Sequence, residues 1–196
     1  MNLPNKLTLS RFALTVVFLA VMFSQFRLRE TVALLLFSAA SLTDYFDGKI
    51  ARQRQLITNF GILMDPLADK ILVCSAFIAF VGLGWMPAWM VVIIVARELA
   101  ITGLRLLAAS KNLVLAAEGY GKHKTISQIV AILSILVYRS YHEWGTVAAA
   151  VFQFAPLGHP WVEWFVPLSM WVAVGLTLLS GVLYLWRNRQ LYLQDL

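Results

Sequence analysis

Four aspartates are concentrated in one short stretch of a chain that has few acidic residues. Only ten Asp and Glu occur among its 196 residues, and four of them are Asp44, Asp47, Asp65 and Asp69. Residues three or four positions apart share a helix face, so the spacing predicts two carboxylate pairs on two helices. Four facing carboxylates cannot all stay ionised without a counter-charge. Two divalent cations would supply it, because Mg²⁺ prefers carboxylate oxygens and substrate phosphates.

Small and basic residues accompany the first two aspartates. Gly48 and Ala51 share their helix face, which leaves room for a flat group to approach the backbone. Lys49 and Arg52 are adjacent and can neutralise phosphate. Two-metal sites stabilise the attacking and leaving oxygens of a displacement at phosphorus. The pattern therefore predicts phosphoryl or phosphatidyl transfer.

Helix capping is the structural alternative for these aspartates. Asp65 precedes Pro66, a pair typical of a helix start. Capping does not account for Asp47 and Asp69, which would lie on helix faces. Ionisable residues inside a membrane are usually functional.

Composition indicates the solvent in which these helices lie. The chain is 60% hydrophobic and 13% charged, with a mean hydropathy of +0.76. Soluble domains are about 45–50% apolar and about 25% charged, so we exclude a soluble enzyme, and high hydrophobicity also excludes disorder. The net charge of +6 is spread over loops, which favours lipid headgroups or phosphorylated substrates over nucleic acid. The single Cys74 excludes a disulfide framework.

The hydrophobic runs predict an all-α, polytopic integral membrane protein with a single domain, residues 1–196. A short interfacial amphipathic helix over residues 1–11 precedes six transmembrane helices, each near the 20 or so apolar residues that a span needs. The spans are predicted at about 12–26, 31–52, 61–83, 87–107, 124–141 and 165–186. The apolar segment 145–156 is too short to span, and is re-entrant, interfacial or an extension of its neighbour.

Basic residues predict the orientation of these spans. Cytoplasmic loops carry an excess of Lys and Arg. One side of the six-span arrangement has only Arg27, Arg29 and Arg139. The other side collects Lys6, Arg11, Lys49, Arg52, Arg54, Arg105, Lys111, Lys122, Lys124, Arg187 and Arg189. Both termini and all four aspartates are therefore expected at the cytoplasmic face.

A second group of residues predicts an anionic ligand. Arg97 lies within the apolar stretch VVIIVARELAI, where a cation is costly without an anion or acid partner. Glu98 is its neighbour in sequence and is therefore expected to point elsewhere. Arg105 lies two turns further along the same face. A guanidinium fork suits phosphate oxygens, so both arginines are candidates to bind phosphate.

Lys122, Lys124 and Thr125 come just before the fifth span and complete this candidate phosphate site. Three structural alternatives remain open. Arg97 could pair with one of the aspartates, Arg105 could extend to the interface, and the lysines could belong to an ordinary positive cytoplasmic loop.

The full pattern resembles the signature of the CDP-alcohol phosphatidyltransferase family. It reads Asp44-x2-Asp47-Gly48-x2-Ala51-Arg52-x8-Gly61-x3-Asp65-x3-Asp69, and it matches at every fixed position. The resemblance implies a bacterial cytoplasmic-membrane enzyme, a homodimer with six transmembrane helices, which uses two Mg²⁺ or Mn²⁺ ions and releases CMP. It also implies roles. Metal ligands are Asp44, Asp47, Asp65 and Asp69, with Asp69 also the general base, while Gly48, Ala51 and Arg52 line the nucleotide and Gly61 allows close helix approach.

Other segments resemble the bacterial branch of the family whose acceptor is glycerol 3-phosphate. They are residues 2–11, 65–70, 97–105 and 121–125. The resemblance implies CDP-diacylglycerol and glycerol 3-phosphate as substrates, within membrane lipid. Asn5, Thr8 and Arg11 are spaced to contact the donor diphosphate, or to form a lipid-surface helix. Open alternatives are another acceptor (inositol phosphate or phosphatidylglycerol), a cation- or proton-coupled transporter, and an intramembrane prenyltransferase, which needs more helices.

Overall fold

The computed structural model describes most of the chain. The described backbone comprises residues 3–54, 59–111, 113, 115, 120–155 and 158–193. Side chains are described for residues 9–43, 70–111, 113, 115, 123–155 and 158–192. Within these ranges the secondary structure is entirely helical, which confirms the predicted all-α class.

The helices follow the predicted hydrophobic runs. They are α1 (Leu3–Phe23), α2 (Arg29–Arg54), α3 (Asn59–Gly82), α4 (Ala88–Ser110), α5 (Tyr120–Ser140), a 3-10 helix (Tyr141–Trp144), α6 (Thr146–Phe152), α7 (Trp161–Arg187) and α8 (Arg189–Leu193). Each predicted span corresponds to one long helix.

The structure bears on two boundaries. The predicted break between an interfacial helix and the first span is wrong for the described residues, because Leu3–Phe23 is one continuous helix. For the segment 145–156, whose role was left open, the structure excludes one alternative, a continuous extension of α5. Gly145, with a φ of 87°, separates the seven-residue α6 from the preceding 3-10 helix, and this left-handed backbone is one that glycine adopts readily.

The turn after α3 has a definite local cause. Gly84 has a φ of 70°, its N–H donates to Val81 O at 3.0 Å, and the Trp85 N–H donates to Phe80 O at 2.8 Å. These two bonds form a Schellman cap, which satisfies carbonyls at the helix end. Pro87 then precedes α4. The turn therefore reverses the chain between α3 and α4.

The six long helices form a closed ring. Going round it, α1 contacts α3, α3 contacts α4, α4 contacts α7, α7 contacts α5, α5 contacts α2, and α2 contacts α1. A further contact between α3 and α5 crosses the ring. The amino-terminal helices and α7 are thereby brought into one bundle.

Aromatic and aliphatic side chains fill the ring. Phe18 and Phe37 are completely buried and lie 5.9 Å apart between ring centroids. Phe77 and Phe80 meet edge to face at 6.4 Å. A smaller cluster of Ile101, Leu104 and Tyr184 joins α4 to α7 further along. The core therefore fixes the spacing of α3, α4 and α7.

The exterior of the ring is also apolar. Many large hydrophobic side chains point outward, for example Val16, Leu35, Val92, Leu99 and Trp171. Soluble monomers rarely expose extended apolar patches, so this exterior suits apolar surroundings. Among the described residues, one helix, Trp161–Arg187, is long and apolar enough by itself to cross a bilayer.

Truncation of a core aromatic should reveal which face of α3 carries the packing energy. Phe77→Ala removes a fully buried ring and should lower the free energy of unfolding by about 3–5 kcal/mol. The matched control is Ile78→Ala, whose side chain is 57% exposed, with an expected change below about 1 kcal/mol. Thermal unfolding of the purified variants in detergent measures both. Equal losses would contradict the packing described.

Candidate active site

The aspartate half of the predicted site lies on two helices. Positions 44, 47, 48, 51 and 52 fall within α2, and positions 61, 65 and 69 fall within α3. The helical backbone supports the shared faces that the spacing predicts. Only residues 55–58 separate the two helices in sequence. The following predicted site residues have side chains that lie outside the described ones: Asn5, Thr8, Asp44, Asp47, Gly48, Ala51, Arg52, Gly61, Asp65, Asp69 and Lys122.

A buried carboxylate organises the basic half of the site. Glu98 on α4 is 5% exposed, and its Oε1 accepts a hydrogen bond from Nζ of Lys124 on α5. The same oxygen accepts from Arg97 Nη1 at 3.4 Å. Lys124 is as buried as Glu98, so the pair lies away from water. The expectation that Glu98 points away from Arg97 is therefore wrong, because the long arginine side chain turns back to its neighbour.

A second link ties this cluster to α3. Lys70 Nζ donates to Thr102 Oγ1 on α4, and Thr102 Oγ1 donates to the carbonyl oxygen of Glu98 at 2.7 Å. Thr102 lies one turn after Glu98, as an i, i+4 pair requires. Lys70 directly follows Asp69 in α3. The basic cluster is therefore joined to the helix that carries the third and fourth aspartates.

Helix α7 supports the arginines of α4. Arg105 Nε donates to Tyr184 Oη at 3.3 Å, and its guanidinium lies 5.7 Å from the centre of that ring. Nearer the start of both helices, Trp89 packs on Trp171 with centroids 5.3 Å apart. Residue numbers rise together along the contact, so α4 and α7 run parallel.

Arg97 crosses α7 at a glycine. A methyl group added to Gly181 would place its carbon 2.7 Å from Arg97 Cγ, well inside the contact distance of two carbon atoms. Gly181 is buried, and the Arg97 side chain is 13% exposed. The stem of Arg97 therefore rests on the backbone of α7.

The structure brings two of the predicted phosphate-binding residues into contact with one carboxylate. Arg97 and Lys124 meet at Glu98, and Arg105 lies two turns along α4 from Arg97. Thr125 is exposed on α5, next to Lys124. Arg11, predicted to contact the donor, is buried on α1.

The described cluster has an excess of positive charge. Lys70, Arg97, Arg105 and Lys124 are opposed by the carboxylate of Glu98, which leaves three formal positive charges. We name these five residues the basic cluster. Burying charges is costly unless they are paired, so this excess among the described side chains favours an anion nearby. The basic cluster can therefore bind a dianion such as a phosphate monoester.

Several residues of the site were not predicted. Three of them, Glu98, Lys70 and Thr102, lie within the segments that carry the family resemblance. A single acidic residue within an apolar helix could have indicated that Glu98 pairs with a buried basic side chain. Gly181 and Tyr184 carry no comparable signal, because their contacts join residues about 80 positions apart.

Comparison with known proteins identifies the family of the chain. The sequence profile described as CDP-alcohol phosphatidyltransferase matches residues 1–179. A CDP-diacylglycerol–glycerol-3-phosphate 3-phosphatidyltransferase of Bacillus subtilis is 41% identical over 199 aligned positions, which cover 95% of each chain. The enzyme of the same name from Rickettsia bellii is 33% identical over 93% of each chain.

A third relative matches over a shorter length. It is a probable phosphatidylglycerophosphate synthase of Mycobacterium tuberculosis, 42% identical over 67% of this chain and 64% of its own. The profile match spans the aspartate helices, the basic cluster on α4 and α5, and most of α7. The chain belongs to the CDP-alcohol phosphatidyltransferase family.

Proposed function

We propose that the protein transfers the phosphatidyl group of CDP-diacylglycerol to glycerol 3-phosphate, giving phosphatidylglycerophosphate and CMP. The observation that carries this proposal is the basic cluster, which is linked through Lys70 to the helix of Asp69. The relatives from Bacillus subtilis and Rickettsia bellii are named for this reaction.

The aspartate half would bind the donor. Four carboxylates on two helices form an all-oxygen donor set, which fits hard divalent cations such as Mg²⁺ or Mn²⁺. Asp44, Asp47, Asp65 and Asp69 would hold the ions. When bound, these ions supply positive charge to the donor diphosphate and polarise its phosphorus. Among the described side chains no other group of His, Cys, Asp or Glu could hold a metal ion.

Residues next to the aspartates would bind the rest of the donor. In this proposal Gly48, Ala51 and Arg52 line the cytidine nucleotide, and Gly61 allows the two helices to approach closely. The amino-terminal residues Asn5, Thr8 and Arg11 would contact the diphosphate. The helical backbone of α1, α2 and α3 supports these assignments by keeping each set in regular register.

The basic cluster would hold the acceptor. Arg97, Arg105 and Lys124 bind the phosphate of glycerol 3-phosphate, and Lys122 and Thr125 add contacts from α5. Charge-assisted hydrogen bonds of this kind fix orientation as well as affinity. The free hydroxyl at the other end of the acceptor is then presented to Asp69, one residue before Lys70. Holding it there converts a bimolecular step into an intramolecular one.

The chemical step is an in-line displacement. Asp69 accepts the proton of the acceptor hydroxyl, and the oxygen attacks the phosphorus that carries the diacylglycerol. The bond from that phosphorus to the oxygen bridging to CMP breaks, and CMP leaves with the bonding electrons. Arg97, Arg105 and Lys124 keep the acceptor phosphate in place during the step.

We further propose how the chain lies in the membrane. Helices α1–α5 and α7 would be its six spans, with both termini and the active site at the cytoplasmic face of a bacterial inner membrane. The closed ring and its apolar exterior support this arrangement. Two copies would form a homodimer, as the family resemblance implies.

Loss of the proposed base should stop turnover. Asp69→Asn keeps the size of the side chain but removes its ability to accept a proton, so CMP release should fall roughly 10²- to 10⁴-fold. The assay follows CMP formed from CDP-diacylglycerol and glycerol 3-phosphate by purified protein. Glu163→Gln, an exposed carboxylate at the start of α7, is the matched control and should retain full activity. Full activity of Asp69→Asn would exclude it as the base.

The acceptor site should be visible in the Michaelis constants. Arg97→Ala, Arg105→Ala and Lys124→Ala should each raise the KM for glycerol 3-phosphate at least about tenfold, because each removes a charged contact to the phosphate. The KM for CDP-diacylglycerol should change little. Arg139→Ala is the matched control, since Arg139 lies on the Trp85 ring at the other end of α5. An unchanged KM for glycerol 3-phosphate in all three variants would contradict the proposal.

Removal of the buried carboxylate should destabilise the protein. Glu98→Gln leaves Lys124 buried without its counter-charge, which should cost about 3–5 kcal/mol of unfolding free energy. Replacing both partners, as in Glu98→Gln with Lys124→Met, should recover much of that loss, because no uncompensated lysine remains. Thermal unfolding in detergent measures the two variants. Equal stability of Glu98→Gln and the wild type would contradict the buried pair.

A further inference from the structure

We propose that Gly181 and Tyr184 of α7 are positioning residues for the acceptor site. They would set where the guanidinium groups of Arg97 and Arg105 lie, without contacting either substrate. This inference rests on the proposed function, and it assigns a role to a carboxy-terminal helix that carries none of the predicted site residues.

The stem of Arg97 leaves no room for a side chain at position 181. Arg97 Cβ, Cγ and Cδ would lie 3.7, 2.7 and 3.9 Å from a methyl carbon at position 181. The middle distance is shorter than a contact between two carbon atoms by about 1 Å. Both the stem of Arg97 and the backbone of α7 lie within packed helices, so a side chain at this position must displace the arginine. Only glycine permits the observed path.

The head group of Arg97 shares a carboxylate with a second proposed phosphate ligand. Its Nη1 reaches Glu98 Oε1 at 3.4 Å, and Glu98 also binds Lys124. A shift of the Arg97 stem therefore changes the distance between two of the three proposed phosphate ligands. A displacement of about 1 Å in a bound group can lower catalysis as much as 10²-fold.

Tyr184 orients the second arginine, Arg105, through a hydrogen bond. It lies three residues after Gly181, on the same face of α7, and its hydroxyl accepts the hydrogen bond from Arg105 Nε. Tyr184 is buried, with 3% of its surface exposed, whereas Arg105 is exposed. A rigid ring therefore fixes the direction of an otherwise mobile side chain. One face of α7 thus contacts both arginines of α4.

Glycine variants of α7 provide the test. Gly181→Ala should raise the KM for glycerol 3-phosphate roughly 10- to 100-fold, with less than about twofold change in the KM for CDP-diacylglycerol. Gly175→Ala is the matched control. It lies on the same helix, nothing lies within 4 Å of a methyl group there, and both KM values should equal those of the wild type. Melting temperatures of both variants are measured alongside.

The KM values distinguish failure of the positioning role from failure of the proposed function. A KM for glycerol 3-phosphate in Gly181→Ala equal to that of Gly175→Ala would overturn the positioning role while the function stands. Parallel increases in both KM values with a lower melting temperature would also overturn it, since this is what a purely structural role predicts. No CMP release by the wild type with glycerol 3-phosphate would overturn both.

A tyrosine variant provides a second test of the positioning role if Gly181→Ala does not fold. Tyr184→Phe removes only the hydroxyl that accepts from Arg105, and the KM for glycerol 3-phosphate should rise at least about threefold at an unchanged kcat. Tyr138→Phe on α5, whose ring lies beside Arg139, is its control and should behave as the wild type. An unchanged KM in Tyr184→Phe would overturn the role of Tyr184.

Discussion

A single buried carboxylate determines how the basic half of the site is built. Glu98 joins α4 to α5 through Lys124 and holds the guanidinium of Arg97 at the same oxygen. Without an acid, the four cations of the basic cluster would repel one another, and the buried ones would also lose hydration. One acid is enough to place them but not to neutralise them. The basic cluster therefore keeps both its geometry and a net positive charge.

The ring of helices explains why distant parts of the chain share this site. Lys70 brings in α3 through Thr102, and α7 supports the arginines through Gly181 and Tyr184. Polar contacts close the ring between α5 and α7, where Gln128 Nε2 donates to Thr177 Oγ1 at 3.0 Å. Such buried hydrogen bonds are expensive to leave unmade, so they fix the register of the two helices. The position of α7 against α4 is then not free to vary.

The sequence predicts the parts of this protein that depend on local spacing. Hydrophobic runs located all six long helices, and the spacing of Asp65 and Asp69 agrees with an unbroken helix over α3. Local spacing in the sequence does not predict which side chains of different helices come into contact. Glu98 was expected to point away from Arg97 because only backbone directions were considered, whereas a flexible side chain turns back to a neighbouring charge. Gly181 is one of eleven glycines, and only the approach of α4 distinguishes it.

The excess charge of the basic cluster bears on which alcohol the site selects. Counting the described side chains of the basic cluster alone, a neutral alcohol would leave three formal positive charges uncompensated, and a lipid phosphodiester would supply one negative charge. Glycerol 3-phosphate offers a phosphate monoester with close to two negative charges, and its free hydroxyl lies only a few bonds from that phosphate. Sites whose buried polar groups need a partner reject ligands that lack it far more strongly than apolar pockets reject a missing methylene. Selection among acceptors should therefore depend on Glu98 as well. Removing its carboxylate raises the positive charge that the acceptor must balance. Discrimination against more highly phosphorylated alcohols should then become weaker.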